Sequence, residues 1–254
     1  MSEIKIRLPA PFPAQAKILD RSSRFNAVCM GESGGKTTLG IEVLIASKDG
    51  ALSGKHPVAW FSATKEDLAE VRRIVKRSID PYIKVQPNQR RWELINGNSI
   101  DFYSFDELPR TMPQYGLIVL DDVRRVNDFS NVFEDMLSEC LRKHEGSAWF
   151  FSDAYGKRND FYKLYERGMT DPDWSCWQFP SDSNPFLPDD VRLRMAAATE
   201  VEYRQRFGAE FLEVAFELSD AQKILGPDER FIEWCERLEQ DGLKVDGIPF
   251  TLSD

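Results

Sequence analysis

Apolar residues in this chain gather in short dense runs, and between the runs lie longer stretches where apolar and charged positions recur at helical spacing. "RFNAVCM" (24–30), "PVAWFSA" (57–63), "GLIVLDD" (116–122) and "SAWFFSD" (147–153) are short, almost uninterrupted apolar runs. Runs of that length read as buried strands of a parallel sheet. "TTLGIEVLIASK" (37–48), "KEDLAEVRRIVKRSI" (65–79) and "NVFEDMLSECLRK" (131–143) predict helices between them. "RWELINGNSIDFYSF" (91–105) alternates on both sides of "NGN" and predicts a hairpin. Strands alternating with helices indicate a doubly wound, mainly parallel sheet in an α/β domain.

The pattern changes at "DPDWSCWQFPSDSNPFLPDD" (171–190), which is rich in Pro, Asp and Ser and reads as a loop leaving the sheet. Helices through "DVRLRMAAA" (190–198) and "EVEYRQRFGAEFLE" (200–213) follow, and "DERFIEWCERLEQDG" (228–242) predicts one more. Length and composition agree with this organisation. The 254 residues are 42% hydrophobic, enough for one large α/β domain or a domain with a small appendage. A net charge of −9 argues against wholesale coating of nucleic acid but leaves room for a local basic channel. The four cysteines, Cys29, Cys140, Cys176 and Cys235, have no metal-ligand spacing and read as reduced thiols of a cytosolic protein. His56 and His144 are too few for a His-rich metal site. No apolar signal core opens the chain, and no run approaches the roughly 20 apolar residues of a membrane span, so no membrane partner is expected.

The chemistry concentrates in two places. "MGESGGKTT" (30–38) joins the first strand to the following helix. Its end fits G-x-x-x-x-G-K-[ST], a loop whose backbone N–H groups and helix N-terminus cradle phosphate. Lys36 would reach the β- and γ-phosphates of ATP, and the Thr37 hydroxyl would coordinate Mg²⁺. Gly31, Glu32, Ser33, Gly34, Gly35 and Thr38 complete the candidate nucleotide-binding loop. Its beginning departs from the pattern: Met30 stands at the first glycine position, Gly31 comes one place late, and Glu32 lies where a polyphosphate would approach. The bland reading is a flexible turn with a solvated lysine. "LIVLDD" ends a strand in two carboxylates. Asp121 would hold the metal and Asp122 would orient and activate water. The bland reading there is a polar strand end with Asp122 capping the next segment. Both motifs together, with strand and helix on the correct sides, favour the nucleotide site.

These residues resemble the ATPase domain of the large terminase subunit, the DNA-packaging motor of tailed phages, over most of residues 9–214. "PFPAQAKIL" resembles the segment whose glutamine reads adenine, which points to Gln15. "RFNAVCMGESGGKTT" is similar to that family's shifted phosphate loop, which also lacks the first glycine. "INGNSIDFYS" resembles its hairpin, and "LIVLDD" stands where the family has a D-E pair. "FFSDAYGKRNDFYKLYERG" (150–168) resembles its coupling motif and marks Ser152 and Asp153. "FPSDSNPFLPDDV" and "YRQRFGAEFLE" resemble its lid.

The resemblance implies a P-loop NTPase (ASCE) type core over 1–170, a small helical lid subdomain over 171–214, and a C-terminal helix and linker over 215–254. It implies an arginine finger acting in trans, for which Arg110 is the candidate, although Arg110 also reads as a plain loop residue. Two departures stand out. The family usually has arginine at the position of Glu32, and glutamate at that of Asp122. The shorter acid draws the carboxylate back by about 1.5 Å, and a misplacement of about 1 Å can cost on the order of 100-fold in rate. Arg124 and Arg125, or Arg110 of a neighbour, are the expected cationic partners of Glu32. A complete large terminase continues into a nuclease domain, which 215–254 would not hold. The expectation is an ATPase fragment or a free-standing packaging ATPase.

The implied function is an ATP-hydrolysing motor that translocates double-stranded DNA into a procapsid in the host cytoplasm. It would act as a homo-oligomeric ring, a pentamer, with the portal protein and the small terminase subunit as partners. Two alternatives stand beside it. One is a nucleotide-gated assembly module with weak turnover. The other is a helicase-like ATPase, which would require a second motor domain.

Overall fold

A computed structural model of the chain describes residue 6 and residues 8–85 and 90–213. The helix expected at 228–242, its linker and Cys235 lie outside the described residues. In chain order the structure has α1 (Pro13–Asp20), β1 (Phe25–Met30), α2 (Lys36–Ala46), β2 (Val58–Ser62), α3 (Lys65–Ile79), β3 (Ile83–Val85), β4 (Arg91–Leu94), β5 (Ser99–Ser104) and β6 (Leu117–Asp121). Then come α4 (Phe129–Val132), a π-helical stretch Phe133–Leu137, α5 (Ser138–Arg142), β7 (Ser147–Ser152), α6 (Asp160–Thr170) and β8 (Trp174–Phe179). The described part ends with α7 (Asp189–Ala197), α8 (Glu200–Glu202) and a second π-helical stretch, Tyr203–Phe207.

The eight strands form one sheet in the order β3-β4-β5-β2-β6-β7-β1-β8. From β5 to β8 all neighbours run parallel, and β4 and β3 add an antiparallel edge. The apolar runs seen in the sequence are the central strands, covered on both faces. One face packs on α2 and α3 through Leu39, Val43, Leu44, Val71, Val75 and Ile79. The other packs on the α4–α5 segment and α6 through Phe129, Phe133, Leu137, Leu141, Phe161 and Leu164. Two-sided burial is why these strands carry no polar alternation.

The register brings the strand ends together. Ser62 pairs with Asp121, Asp121 with Phe151, and Cys29 with Ser152. The carboxyl ends of β1, β2, β6 and β7 therefore share one edge of the sheet, the place where open α/β sheets bind ligands.

Three expectations about elements need correction. Residues 171–190 are not wholly a loop: Trp174–Phe179 is β8, hydrogen-bonded parallel to β1. Trp174 stacks on Phe25 and Phe150, with ring centroids 4.9 and 5.4 Å away, and this burial holds an edge strand whose Pro- and Asp-rich flanks disguise it. The sheet thus continues past the boundary expected at 170/171. The helix expected over 200–213 ends at Phe207, because the chain turns at Gly208 and Ala209 enters the left-handed region at φ 57°. The helix expected over 131–143 begins at Phe129 and contains a π-helical stretch. Strand β3 has no clear apolar signature, since two of its three residues are exposed. The hairpin is as expected, with Gly97 at φ 84° in its turn.

Candidate nucleotide-binding site

The candidate phosphate loop leaves the buried end of β1 and enters α2, whose N-cap Gly35 has φ 90° and ψ 21°. A side chain on Gly35 would meet the Gln15 amide at 2.9 Å, besides the strain of its backbone. Lys36 starts the helix, and its Nζ donates to the carbonyls of Met30 at 2.8 Å and Gly31 at 3.0 Å. The lysine thus spans the loop from the inside. Gly34 N–H donates to Gly31 C=O at 3.0 Å and closes the turn.

The late glycine also has a steric reason. A Cβ on Gly31 would lie 2.3 Å from the Phe207 carbonyl and 2.4 Å from Ser181 Oγ. The segment after β8 packs directly on the loop, and only glycine leaves room for it.

Thr37 and Asp121 are 84 positions apart, and the Thr37 hydroxyl donates to Asp121 Oδ2 at 2.9 Å. Burial pushes the Asp121 carboxyl up from 3.8 to about 6; the neighbouring Asp122 charge adds to the rise, while the Thr37 bond and the Lys36 charge oppose it. Asp122 sits in the left-handed region at φ 60°, ψ 45°. Short polar residues tolerate that conformation best. Its carboxyl is also raised, first by burial and then by the charge of Asp153, against the pull of Arg125 and Arg124.

Arg125 Nη1 donates to Asp122 Oδ2 at 3.0 Å and to Asp67 Oδ2 at 2.9 Å. Arg124 Nε donates to Asp153 at 2.5 Å, its backbone N–H donates to Ser152 Oγ at 3.3 Å, and its guanidinium lies 5.0 Å from the Tyr155 ring centre. One arginine thus joins the acid after β6 to the end of β7.

Glu32, Ser33, Lys36, Thr37, Asp121, Asp122 and Asp153 line one cavity of about 310 Å³, together with Asp67, Glu70 and Arg124 among others. Gln15, Thr38, Arg110 and Ser152 are not among its lining residues. Gln15 is buried; its Oε1 accepts from Phe12 N–H at 3.3 Å and its Nε2 donates to Gly35 C=O at 3.0 Å. The amide therefore braces the loop. Thr38 is exposed on α2, and Arg110 is exposed in the segment before β6.

Glu32 has different partners from those expected. Neither Arg124 nor Arg125 is paired with it. Instead Arg194 and Arg206 donate to Oε1 and Oε2 of its carboxylate. Arg124 and Arg125 are engaged by the carboxylates next to them, Asp153, Asp122 and Asp67, which lie closer along the edge of the sheet.

The residues that sequence reasoning missed are Asp67, Ser181, Asn184, Arg194 and Arg206. Asp67 was visible only as part of the Thr64 cap of α3, where its backbone N–H donates to Thr64 Oγ1. The other four lie about 150 or more residues from the loop they touch, so no local pattern announces them.

The fold recurs in known structures. The ATPase domain of the large terminase of Thermus phage P74-26 superposes with a TM-score of 0.61 at 17% identity, over 80% of this chain and 94% of that one. A large terminase from a thermophilic bacteriophage gives 0.62 at 16% identity, over 80% of this chain and 53% of that one. The chain has the fold of large terminase ATPase domains.

That fold is a P-loop NTPase fold. The bacteriophage HK97 large terminase also superposes, with a TM-score of 0.58 at 12% identity, over 92% of this chain and 49% of its own. The chain spans nearly all of the isolated terminase ATPase domain but about half the length of the thermophilic-phage and HK97 proteins. The thermophilic-phage terminase in complex with ATP-γ-S and with ADP matches over the same 80% of this chain. No protein-family model matches the sequence, and no curated protein matches it significantly. Among the described residues, no helix is long and apolar enough to cross a membrane.

The buried charge of Asp121 has a measurable consequence. Asn at this position keeps an acceptor for Thr37 and removes the charge. A carboxyl raised by folding contributes stability that is present below its unfolded pKa and lost as pH rises through its folded one. Asp121→Asn should therefore equal the parent below about pH 4 and become more stable between there and about pH 6. The gain should be constant above that, at up to about 3 kcal/mol. Urea unfolding at a series of pH values measures it; equal stabilities at pH 7 would contradict the buried charge.

Proposed function

We propose that the chain is an ATP-hydrolysing packaging ATPase that drives double-stranded DNA into a procapsid. The observation that carries this is the hydrogen bond from Thr37 to Asp121, with Lys36 spanning the loop beside it. It joins the phosphate loop to the acid at the end of a neighbouring strand. The terminase fold, and the nucleotide complexes of the thermophilic-phage protein, support the same reading.

In this reading the loop N–H groups and the N-terminus of α2 face the polyphosphate. Lys36 exchanges its two carbonyl partners for phosphate oxygens. Thr37 and Asp121 fit Mg²⁺: they supply hard oxygen donors, only one of them charged, as suits an ion that keeps waters and takes its other ligands from phosphate. Bound there, the ion would neutralise charge developing on the phosphates. Asp122 orients the attacking water and accepts its proton, a role its raised pKa suits. Arg124 carries the state of this acid to Asp153 and Ser152, the expected coupling residues. Gln15 sets the loop and reads adenine. Arg110, exposed before β6, acts on a neighbour's nucleotide in a pentameric ring. The lid subdomain lies within 171–214, and the portal protein and the small terminase subunit are the partners.

A second reading, the nucleotide-gated assembly module, draws on the grip of Arg125 on Asp122, which holds the short acid in place. Steady-state phosphate release at micromolar protein, with and without linear double-stranded DNA, decides between them. The motor reading expects Mg²⁺-dependent turnover that DNA raises. Tight nucleotide binding with turnover unmoved by DNA would favour the module, and absence of nucleotide binding would remove both.

A further inference from the structure

We propose that Glu32 is a positioning residue, holding the lid on the phosphate loop through Arg194 and Arg206. The inference deepens the nucleotide reading and rests on it for its link to turnover. Each carboxylate oxygen of Glu32 takes a different arginine. Arg206 also donates to Glu202 at 2.9 Å, and Arg194 to Asp190 at 3.4 Å, so each guanidinium is aimed from its own segment. Arg206 belongs to the π-helical stretch after α8, and Arg194 to α7.

The backbone makes a second, fixed seam at the same place. Gly31 N–H donates to Phe179 C=O at 3.0 Å and Glu32 N–H to Arg206 C=O at 2.8 Å. Ser181 Oγ donates to Glu32 C=O at 2.6 Å, and Asn184 Nδ2 to Ser33 C=O at 2.8 Å. These bonds anchor the two ends of the lid. The helix between them is reached by the Arg194–Glu32 bond.

The lid is a small unit. Its own core holds three buried apolar side chains, Leu187, Val191 and Phe207, while Leu193 on α7 and Phe186 before it are exposed. A unit with so small a core opens at low cost unless charges hold it. Hydrogen bonds between ionised partners are about twice as strong as neutral ones. Glu32 meanwhile lines the cavity with Lys36 and Thr37. Arg194 and Arg206 are not among the residues that line it, so charge at the loop reaches the lid through Glu32. The loop acid and lid bases thus replace, with reversed sign, a basic loop.

The test is amide hydrogen exchange of the full chain without nucleotide, which reads the lid even if the chain hydrolyses nothing. Glu32→Gln, nearly isosteric, should speed exchange in 189–207 by about tenfold relative to the rest of the sheet. Glu32→Arg should speed it further, because three cations then meet. The Arg194→Gln, Arg206→Gln pair should also speed exchange there, and adding Glu32→Gln to it should change exchange little further, a non-additivity that a purely steric role for Glu32 could not produce. In phosphate release, Glu32→Gln should lower kcat by about tenfold while KM stays within about threefold. Parent-like exchange in Glu32→Gln, or full additivity of Glu32→Gln with the arginine pair, would overturn the proposal. Failure of the nucleotide reading shows separately, as parent protein that does not bind ATP.

Discussion

Lys36→Ala is expected to weaken ATP binding by about 10²–10³-fold while the domain stays folded. The lysine's charge is spent on two carbonyls of its own loop, Met30 and Gly31, and its side chain is only half-buried. Losing the ammonium removes about 1–3 kcal/mol of charge-assisted hydrogen bonding from the free protein. That is a fraction of what a sheet covered on both faces supplies. The loss to a bound polyphosphate is larger, because a desolvated phosphate left without its cation costs about 3–4 kcal/mol in affinity. Nucleotide titration by calorimetry, with thermal unfolding of the same samples, checks both halves. ATP affinity equal to the parent's would remove the phosphate-loop assignment. Loss of the folded state would show that Lys36 serves the core.

Asp122→Asn should leave nucleotide affinity within a few-fold of the parent and lower turnover by about 10²–10⁴-fold, the range for removing a positioned general base. Asn fits the left-handed backbone at this position and can still accept from Arg125, so the local structure should survive. Single-turnover hydrolysis with saturating Mg²⁺ and ATP separates chemistry from binding. A loss of less than tenfold would assign the base elsewhere.

The same backbone gives a reason for the shorter acid. Aspartate is at home at φ 60°, whereas glutamate lacks its local hydrogen bonding there. Asp122→Glu should therefore keep hydrolysis, with the carboxylate moved out by about 1.5 Å, but lower stability by about 1 kcal/mol. A drop in turnover as large as that of the Asn variant would show a site built around the shorter side chain.

The strands and helices of the core were legible because each has a local signature, a short apolar run for the strands and a helical period for the helices. "GLIVLDD" is apolar throughout because β6 is covered on both faces, and "KEDLAEVRRIVKRSI" is α3 to the residue because Thr64 caps it and its apolar face is continuous. Strand β8 was missed for the converse reason. "WSCWQF" is short and sits between proline- and aspartate-rich segments, and its strand character comes from pairing with β1 and from Trp174 stacking on Phe25 and Phe150. The π-helical stretches have no local signature either.

The sequence by itself determined the parallel sheet, the loop between β1 and α2, and which residues are the candidates for phosphate and metal, Lys36, Thr37 and Asp121, and for activating water, Asp122. Those follow from side-chain chemistry, from short apolar runs and from the 3.6-residue helical period, which need no partner to be read. The tertiary structure decided the partners of charge. Sequence proximity to the acidic pair suggested Arg124 and Arg125 for Glu32, yet the sheet edge gives those arginines to Asp153, Asp122 and Asp67, and the chain returns after β8 to bring Arg194 and Arg206 to the loop. It also decided why Gly31 is a glycine, since the Phe207 carbonyl and Ser181 close on it from more than a hundred residues away. Coulomb attraction and steric exclusion act over a few ångströms of space, and a distance of that size between residues so far apart in the chain exists only once the chain has folded.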